Sequence, residues 1–168
     1  MKFSPRYFVE KFQMQLHPEG GWFRETYRSD EIVMGEHLPN RFGDGRSFCT
    51  AIYFLLEGEQ FSSFHRIKSD ELWHFYAGEA LDIYMIDADG KLQVIKLGSD
   101  PENGEVFQAV VKAGSWFASK PARQNSFAFV GCTVAPGFDF ADFELAKGDI
   151  LSKEFPQHKE VIKNLCKQ

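Results

Sequence analysis

The stretch Ser62-Ser63-Phe64-His65-Arg66-Ile67-Lys68-Ser69-Asp70-Glu71-Leu72-Trp73-His74-Phe75-Tyr76-Ala77-Gly78 decides how the rest of the chain is read. It scans as two short aromatic strands joined by a polar hinge. Two histidines and a carboxylate, His65, Glu71 and His74, fall within ten positions, a density found nowhere else in the chain. Histidine and glutamate are the side chains most used for proton transfer and metal ligation near neutral pH. The chemistry of the protein is therefore expected here, with the remaining strands wrapped around it.

Working outward, period-two patterns recur on both sides of this stretch. Upstream, Trp22–Arg28 and residues 47–56 have strand-forming types, and the polar, Gly-containing residues 29–46 between them read as a long loop. Downstream come Leu81–Ile86, the turn 87–90, Leu92–Leu97, residues 106–111, a strand opening at Gly114, and residues 126–134. Helical patterns occur only at the ends. Ser4-Pro5 starts a helix whose apolar face is Phe8, Val9, Phe12 and Leu16, and 17–21 is the turn that closes it. From Gly148 the tail is helical, broken at Pro156 and resumed through Val161, Ile162 and Leu165. Many short strands with helices only at the termini predict an all-β antiparallel sandwich or barrel, and a jelly roll in particular. Such a barrel encloses room for a small ligand.

Composition narrows the partners. A length of 168 residues with 43% hydrophobic side chains is expected to form one domain, 1–168, with a substantial core. Net charge −5 and a pI near 5.5 argue against nucleic acid or an anionic membrane surface as partner. No apolar run reaches the ~20 residues of a membrane span, and the N-terminus lacks the apolar segment of a secretory signal. Cys49, Cys132 and Cys166 are odd in number and lack paired metal spacing, so they read as reduced thiols in a cytoplasmic protein.

His65, Glu71 and Gly78 resemble the first motif of the cupin superfamily, and 114–121 sits where the second motif would lie. The segments 17–22, 24–27 and 135–138 resemble a small cupin branch catalogued as a domain of unknown function. The resemblance implies a double-stranded β-helix (the cupin jelly roll) and a homodimer. It also implies a metal held by two histidines and a glutamate of the first motif and a histidine of the second. Here the second histidine position is Ile67, and no histidine lies between His74 and His158. No cofactor is therefore expected. A divalent metal, if present, would have to use His65, Glu71 and His74.

Strand geometry sets a condition on that trio, because side chains alternate faces along a strand. If the hinge is an odd-numbered loop such as 68–70, Ile67 pairs with Glu71, and His65 shares a face with Glu71 and Trp73. If it is an even loop of Ser69 and Asp70 alone, His65 shares a face with His74. The odd loop agrees with the motif and is the expectation.

A deoxysugar-nucleotide epimerase of the same superfamily uses a histidine on the equivalent strand as base. The resemblance thus implies His65 as base, Glu71 as its orienting carboxylate, and Tyr53 or Tyr76 as the group returning a proton. Trp73 and Trp116 are candidate apolar walls for a ligand ring. Arg24 and Glu25 must face opposite ways, and Arg24 would suit a phosphate or carboxylate if it is the inward one. His74, flanked by aromatic residues, reads as an outward or interface residue with a possible ligand contact. His17 with Glu19 reads as a structural corner, and 138–143 as a half-buried edge. The expected function is a small-molecule-binding cupin, isomerase- or epimerase-like, acting on a sugar, sugar nucleotide or similar polar metabolite. The alternatives are a non-catalytic binding protein and a degenerate metal enzyme.

Overall fold

A computed structural model describes residues 3–167; Met1, Lys2 and Gln168 of the expected 1–168 domain lie outside the described residues. Ser4 caps α1 (Pro5–Lys11) with its Oγ, which accepts from the Tyr7 amide at 3.3 Å, and Pro5 opens the first turn. The helix stops before Leu16. Gln13 turns the chain with φ 51°, and β1 (Gln15–Leu16) instead pairs with β2 (Trp22–Arg28). A strand partner for Leu16 outweighed its helical spacing. The apolar face of α1 still docks as expected, with Phe8 stacked on Phe129 at 4.3 Å.

The long loop after β2 is only partly irregular. It contains the two-residue strands β3 (Ile32–Val33) and β4 (Arg46–Ser47), which pair with each other. Then follow β5 (Thr50–Glu57), β6 (Ser62–Arg66), β7 (Asp70–Gly78), β8 (Leu81–Ile86) and β9 (Leu92–Leu97). After these come β10 (Gln108–Val111), β11 (Trp116–Pro121), β12 (Phe127–Ala135), β13 (Glu144–Leu145), α2 (Gly148–Glu154) and α3 (Lys159–Asn164). Strands β1-β2-β5-β12-β7-β10 form one sheet, and β13-β6-β11-β8-β9 form the other. The predicted jelly roll is the observed architecture.

Period-two alternation explains how three apolar layers come from these strands. On β5 and β12, Phe54, Leu56, Ala128, Val130, Cys132 and Val134 face the space between the sheets, with Ile67, Trp73, Leu81, Ile83 and Phe117 opposite or beside them. The alternate residues Leu55, Phe127 and Phe129 face outward and are covered by Phe8 and Met14. Phe64, Trp116 and Ala118 face outward from the second sheet onto Leu151, Ile162 and Leu165 of the tail.

The hinge after His65 is a correction to the sequence reading. Strands β6 and β7 do not pair at all; they belong to different sheets, and 67–69 carries the chain from one to the other. Loop parity is therefore not what brings His65 and Glu71 to the interior. Each faces inward from its own sheet, and both are buried. A sheet crossing and a hairpin turn present the same polar residues to a reader of sequence.

The segment before β13 is tied down by a buried ion pair. Arg46 Nε and Nη2 donate to the two carboxylate oxygens of Asp142, each at 2.6 Å, with both side chains nearly inaccessible. This pair links the 29–46 excursion to the turn carrying Phe138, Phe140 and Phe143.

Candidate active site

Between the sheets, toward one end, lies a cavity of about 250 Å³. Its walls are largely aromatic: Phe23, Phe54, Phe138, Phe140 and Phe143. His17, Glu19, His65, Glu71 and Cys132 supply most of its interior polar groups, and Glu25, Arg28 and Asp139 also line it. Phe138 and its neighbours thus form a wall of the cavity, which corrects their reading as a mere edge.

Glu19 is central to the site, which corrects its reading as part of a structural corner. It is brought in by the turn at Gly20 (φ 122°) and Gly21 (φ 74°), a backbone region that L side chains rarely adopt. A Cβ on Gly20 would collide with the Phe61 carbonyl, and one on Gly21 with Leu56 and the Leu55 carbonyl. The paired glycines therefore let the turn press against β5 and β6, which seats Glu19 against β6. Ser62 Oγ donates to Glu19 Oε1 at 2.8 Å, and Glu19 Oε2 lies 3.1 Å from His65 Nε2 and 3.4 Å from His17 Nδ1.

Proton positions follow from these partners. His65 Nδ1 is 2.7 Å from the Ser63 carbonyl, and a carbonyl only accepts, so Nδ1 carries a proton. The contact between His65 Nε2 and Glu19 Oε2 then needs one proton shared between them. His17 Nδ1 accepts from the Glu19 amide at 3.3 Å, which leaves the His17 proton on Nε2. Burial disfavours an ion pair here. It pushes His65 down to about 4, against the pull of the Ser63 carbonyl. It pushes the Glu19 carboxyl up, against His17 and the Ser62 hydroxyl. His17 is lowered as well, chiefly by burial.

Glu71 sits across the cavity on β7. Burial first, and the charge of Glu19 second, push its carboxyl up to about 8, while the Cys132 thiol donates to it and holds it back. Cys132 is raised well above an ordinary thiol by burial and by Glu71. Burial raises both carboxyls; Glu71, at about 8, stays protonated through neutral pH, and charge developing on Glu19 raises it further. A buried carboxylic acid held neutral can act as a hydrogen-bond donor.

Several predicted site residues lie elsewhere. Both ring nitrogens of His65 are engaged, so His65 cannot itself reach a substrate proton without releasing Glu19. Tyr53 and Tyr76 are on the outer face of the first sheet, edge to face at 6.0 Å, with Tyr53 against Phe12 and Tyr76 half exposed. Neither can return a proton to a ligand in the cavity. Trp73 is core, edge-on to Phe54 and Phe117, and Trp116 lies on the tail side of the second sheet beneath Arg66. Arg24 faces outward, and Glu25 is the inward member of that pair. His74 points outward with Gln108 and Thr133 as partners.

The residues do not fit a divalent ion. Ile67 presents an apolar side chain to the cavity where a second histidine would stand, and His74 is on the opposite face of β7 from Glu71. Among the described residues, no three His, Cys, Asp or Glu side chains are placed to hold a metal ion. A transition-metal site ordinarily takes three or four protein ligands.

Comparison with known proteins adds a family to this geometry. Residues 6–146 match the family described as cupin superfamily (DUF985). The chain belongs to that cupin family. Uncharacterized protein YML079W of Saccharomyces cerevisiae is 32% identical over 157 residues, 87% of this chain and 77% of that protein. Protein SO0799 from Shewanella oneidensis has a crystal structure similar over 98% of both chains, at 39% identity and TM-score 0.88. A hypothetical protein from Leishmania major is similar at 33% identity and TM-score 0.88, over 99% of this cupin and 100% of that chain. An oxalate decarboxylase from Bacillus subtilis shares the fold alone, at 16% identity and TM-score 0.56 over 94% of this chain and 37% of its own. No helix among the described residues is long and apolar enough to cross a membrane.

Proposed function

We propose that this cupin is an acid–base enzyme, isomerase- or epimerase-like, acting on a small polar metabolite that carries a carbonyl group. One observation supports the reading most: two buried carboxyls in different settings, Glu19 against His65 and Ser62 and Glu71 against Cys132, line one aromatic cavity. Environments that push two titratable groups apart assign the acid and the base. In this reading Glu71 is the acid. Glu19 is the base, and His65 is a positioning residue behind it rather than the base itself.

The proton shared by Glu19 and His65 shifts onto His65 Nε2, leaving a carboxylate at Oε2. That oxygen takes a proton from the carbon next to the substrate carbonyl. The C–H electron pair becomes the C=C bond of an enediol, and Glu71 transfers its proton to the former carbonyl oxygen. Return of the Glu19 proton to the neighbouring carbon, with the proton of the adjacent enediol hydroxyl passing to Glu71, gives the isomer. Protonation of the original carbon from solvent on the opposite face, with the former carbonyl's proton going back to Glu71 and the Glu19 proton released to solvent, gives the epimer. The cavity of about 250 Å³ lies just below the ~300–1,000 Å³ usual for small-molecule pockets. A monosaccharide-sized group is the largest that would be enclosed, and any nucleotide portion would remain outside.

The test uses small hydroxy-aldehydes and hydroxy-ketones selected by thermal shift and then incubated with the protein in D₂O. The expected result is deuterium at the carbon beside the carbonyl, formed faster than in buffer. Binding without exchange would favour the non-catalytic reading. Tyr53→Phe and Tyr76→Phe should leave the exchange rate unchanged, because both hydroxyls are on the far side of the sheet.

The proposal extends to self-association. Leu72 and its cross-strand neighbour Val110 lie 37% and 41% exposed on the outer face of the first sheet, beside the half-exposed Tyr76. An apolar patch of this kind is suited to a second copy of the chain. Light scattering should give a dimer for the wild type and a monomer for Leu72→Glu, and an unchanged dimer in the variant would move the interface elsewhere.

A further inference from the structure

Nothing in the proposed reaction uses the cation at the cavity wall. Strand β2 carries a bulge between Glu25 and Tyr27 in its pairing with β5. In a regular strand, positions 25 and 28 would face opposite sides. With the bulge both Glu25 and Arg28 line the cavity, and Arg28 stands opposite Thr50. Bulges recur beside functional sites because they re-aim a side chain. Arg28 is the single Lys or Arg lining this cavity among the described residues.

The guanidinium is already oriented. Nε and Nη2 donate to the Glu25 carboxylate at 3.2 and 2.8 Å, and Nη1 donates to the Phe138 carbonyl at 3.1 Å. A guanidinium has five N–H donors in a rigid fork. Three are engaged, two remain, and the side chain is 43% exposed. A planar, pre-oriented fork with spare donors is the arrangement that recognises a carboxylate or phosphate.

We propose that Arg28 is an oxyanion subsite, holding a carboxylate or phosphate of a substrate whose carbonyl end reaches Glu19 and Glu71. The assignment rests on the acid–base reading for the carbonyl end only. Glu25 and Asp139 also line this part of the cavity, so the wall is not basic as a whole. An anion is therefore recognised as part of a larger ligand and not collected by long-range attraction.

Calorimetry with three probes tests this: neutral dihydroxyacetone, its phosphate ester, and hydroxypyruvate. The wild type should bind at least one anionic probe about tenfold or more tighter than dihydroxyacetone, and the anion that wins identifies carboxylate or phosphate. Arg28→Met should erase the preference, and Arg28→Lys should retain part of it. Circular dichroism checks that each variant is folded, and Arg28→Lys carries the test if Arg28→Met is not. Equal binding of neutral and anionic probes, absence of binding by both anions at millimolar concentration, or a preference that survives Arg28→Met would each overturn the subsite. Glu71→Gln should leave the preference intact. Preference without deuterium exchange would thus remove the acid–base reading and keep the subsite.

Discussion

Glu71→Gln is expected to lower turnover by ~10²–10⁴-fold, the usual contribution of a positioned general acid. The amide keeps the size and buried position of the carboxyl, but it has no acidic proton to transfer to a carbonyl oxygen. The same variant should change how stability depends on pH. Glu71 is raised from 4.5 to about 8, so between those values the unfolded chain has lost a proton that the folded protein keeps. Stability contributed by Glu71 is then full below pH 4.5 and is lost as pH rises toward 8.

His65 acts in the opposite sense over a lower range. Its pKa falls from 6.5 to about 4, so stability rises with pH between about 4 and 6.5 and is flat above. His17, also lowered, finishes by 6.5, whereas Glu19, raised, adds to the loss above 4.5. The opposing effects overlap below pH 6.5. Above it only the carboxyls act, and Glu71 alone should cost on the order of 1 kcal/mol per pH unit, about 2 kcal/mol by pH 8. For a chain of this size that is ~4–8 °C in Tm. Calorimetric scans from pH 6.5 to 8 should show this fall in the wild type and a much shallower one in Glu71→Gln. Parallel curves would show that Glu71 is ionised in the folded protein.

Arg46→Met is expected to destabilise the fold by about 3–5 kcal/mol, the range for breaking one side of a buried ion pair. Asp142 would keep only Lys68, at 3.2 Å, against a burial that by itself raises its carboxyl. Arg46 also donates to the Asp44 and Gly45 carbonyls, at 3.1 and 2.8 Å, so the 29–46 excursion would lose its anchor too. The effect should reach the cavity, because Asp142 lies in the turn that presents Phe140 and Phe143. Arg46→Met combined with Asp142→Asn should recover a large part of the loss in urea unfolding. A single variant within about 1 kcal/mol of wild type would show that the pair is not structural.

The sequence made the strands legible because both faces of the central ones are apolar in alternation, as in Phe54, Leu55 and Leu56. It also marked His65 and Glu71 as a cluster. What it could not show is which sheet each strand joins: a crossing at Ile67–Ser69 and a hairpin have the same polar, short composition. The bulge after Glu25 is equally silent, since an extra residue in one strand leaves no mark on residue type. The reading of Arg24 as the useful cation was therefore displaced to Arg28. Glu19 was obscured for another reason. A carboxylate between Pro18 and paired glycines looks like a turn, and only the positive φ of Gly20 and Gly21 brings that turn against β6. The signal was present in the pairing of His17 with Glu19 before two glycines, a polar pair placed where a plain turn needs none.

The proposed chemistry requires a protonated Glu71 in the same cavity as Glu19. Carbon-13 NMR of the Glu71 side-chain carboxyl, assigned through Glu71→Gln and followed from pH 4 to 9, measures this directly. A midpoint near 8 is predicted. A midpoint near 4.5, the ordinary glutamate value, would contradict it and with it the division of the two carboxyls into acid and base.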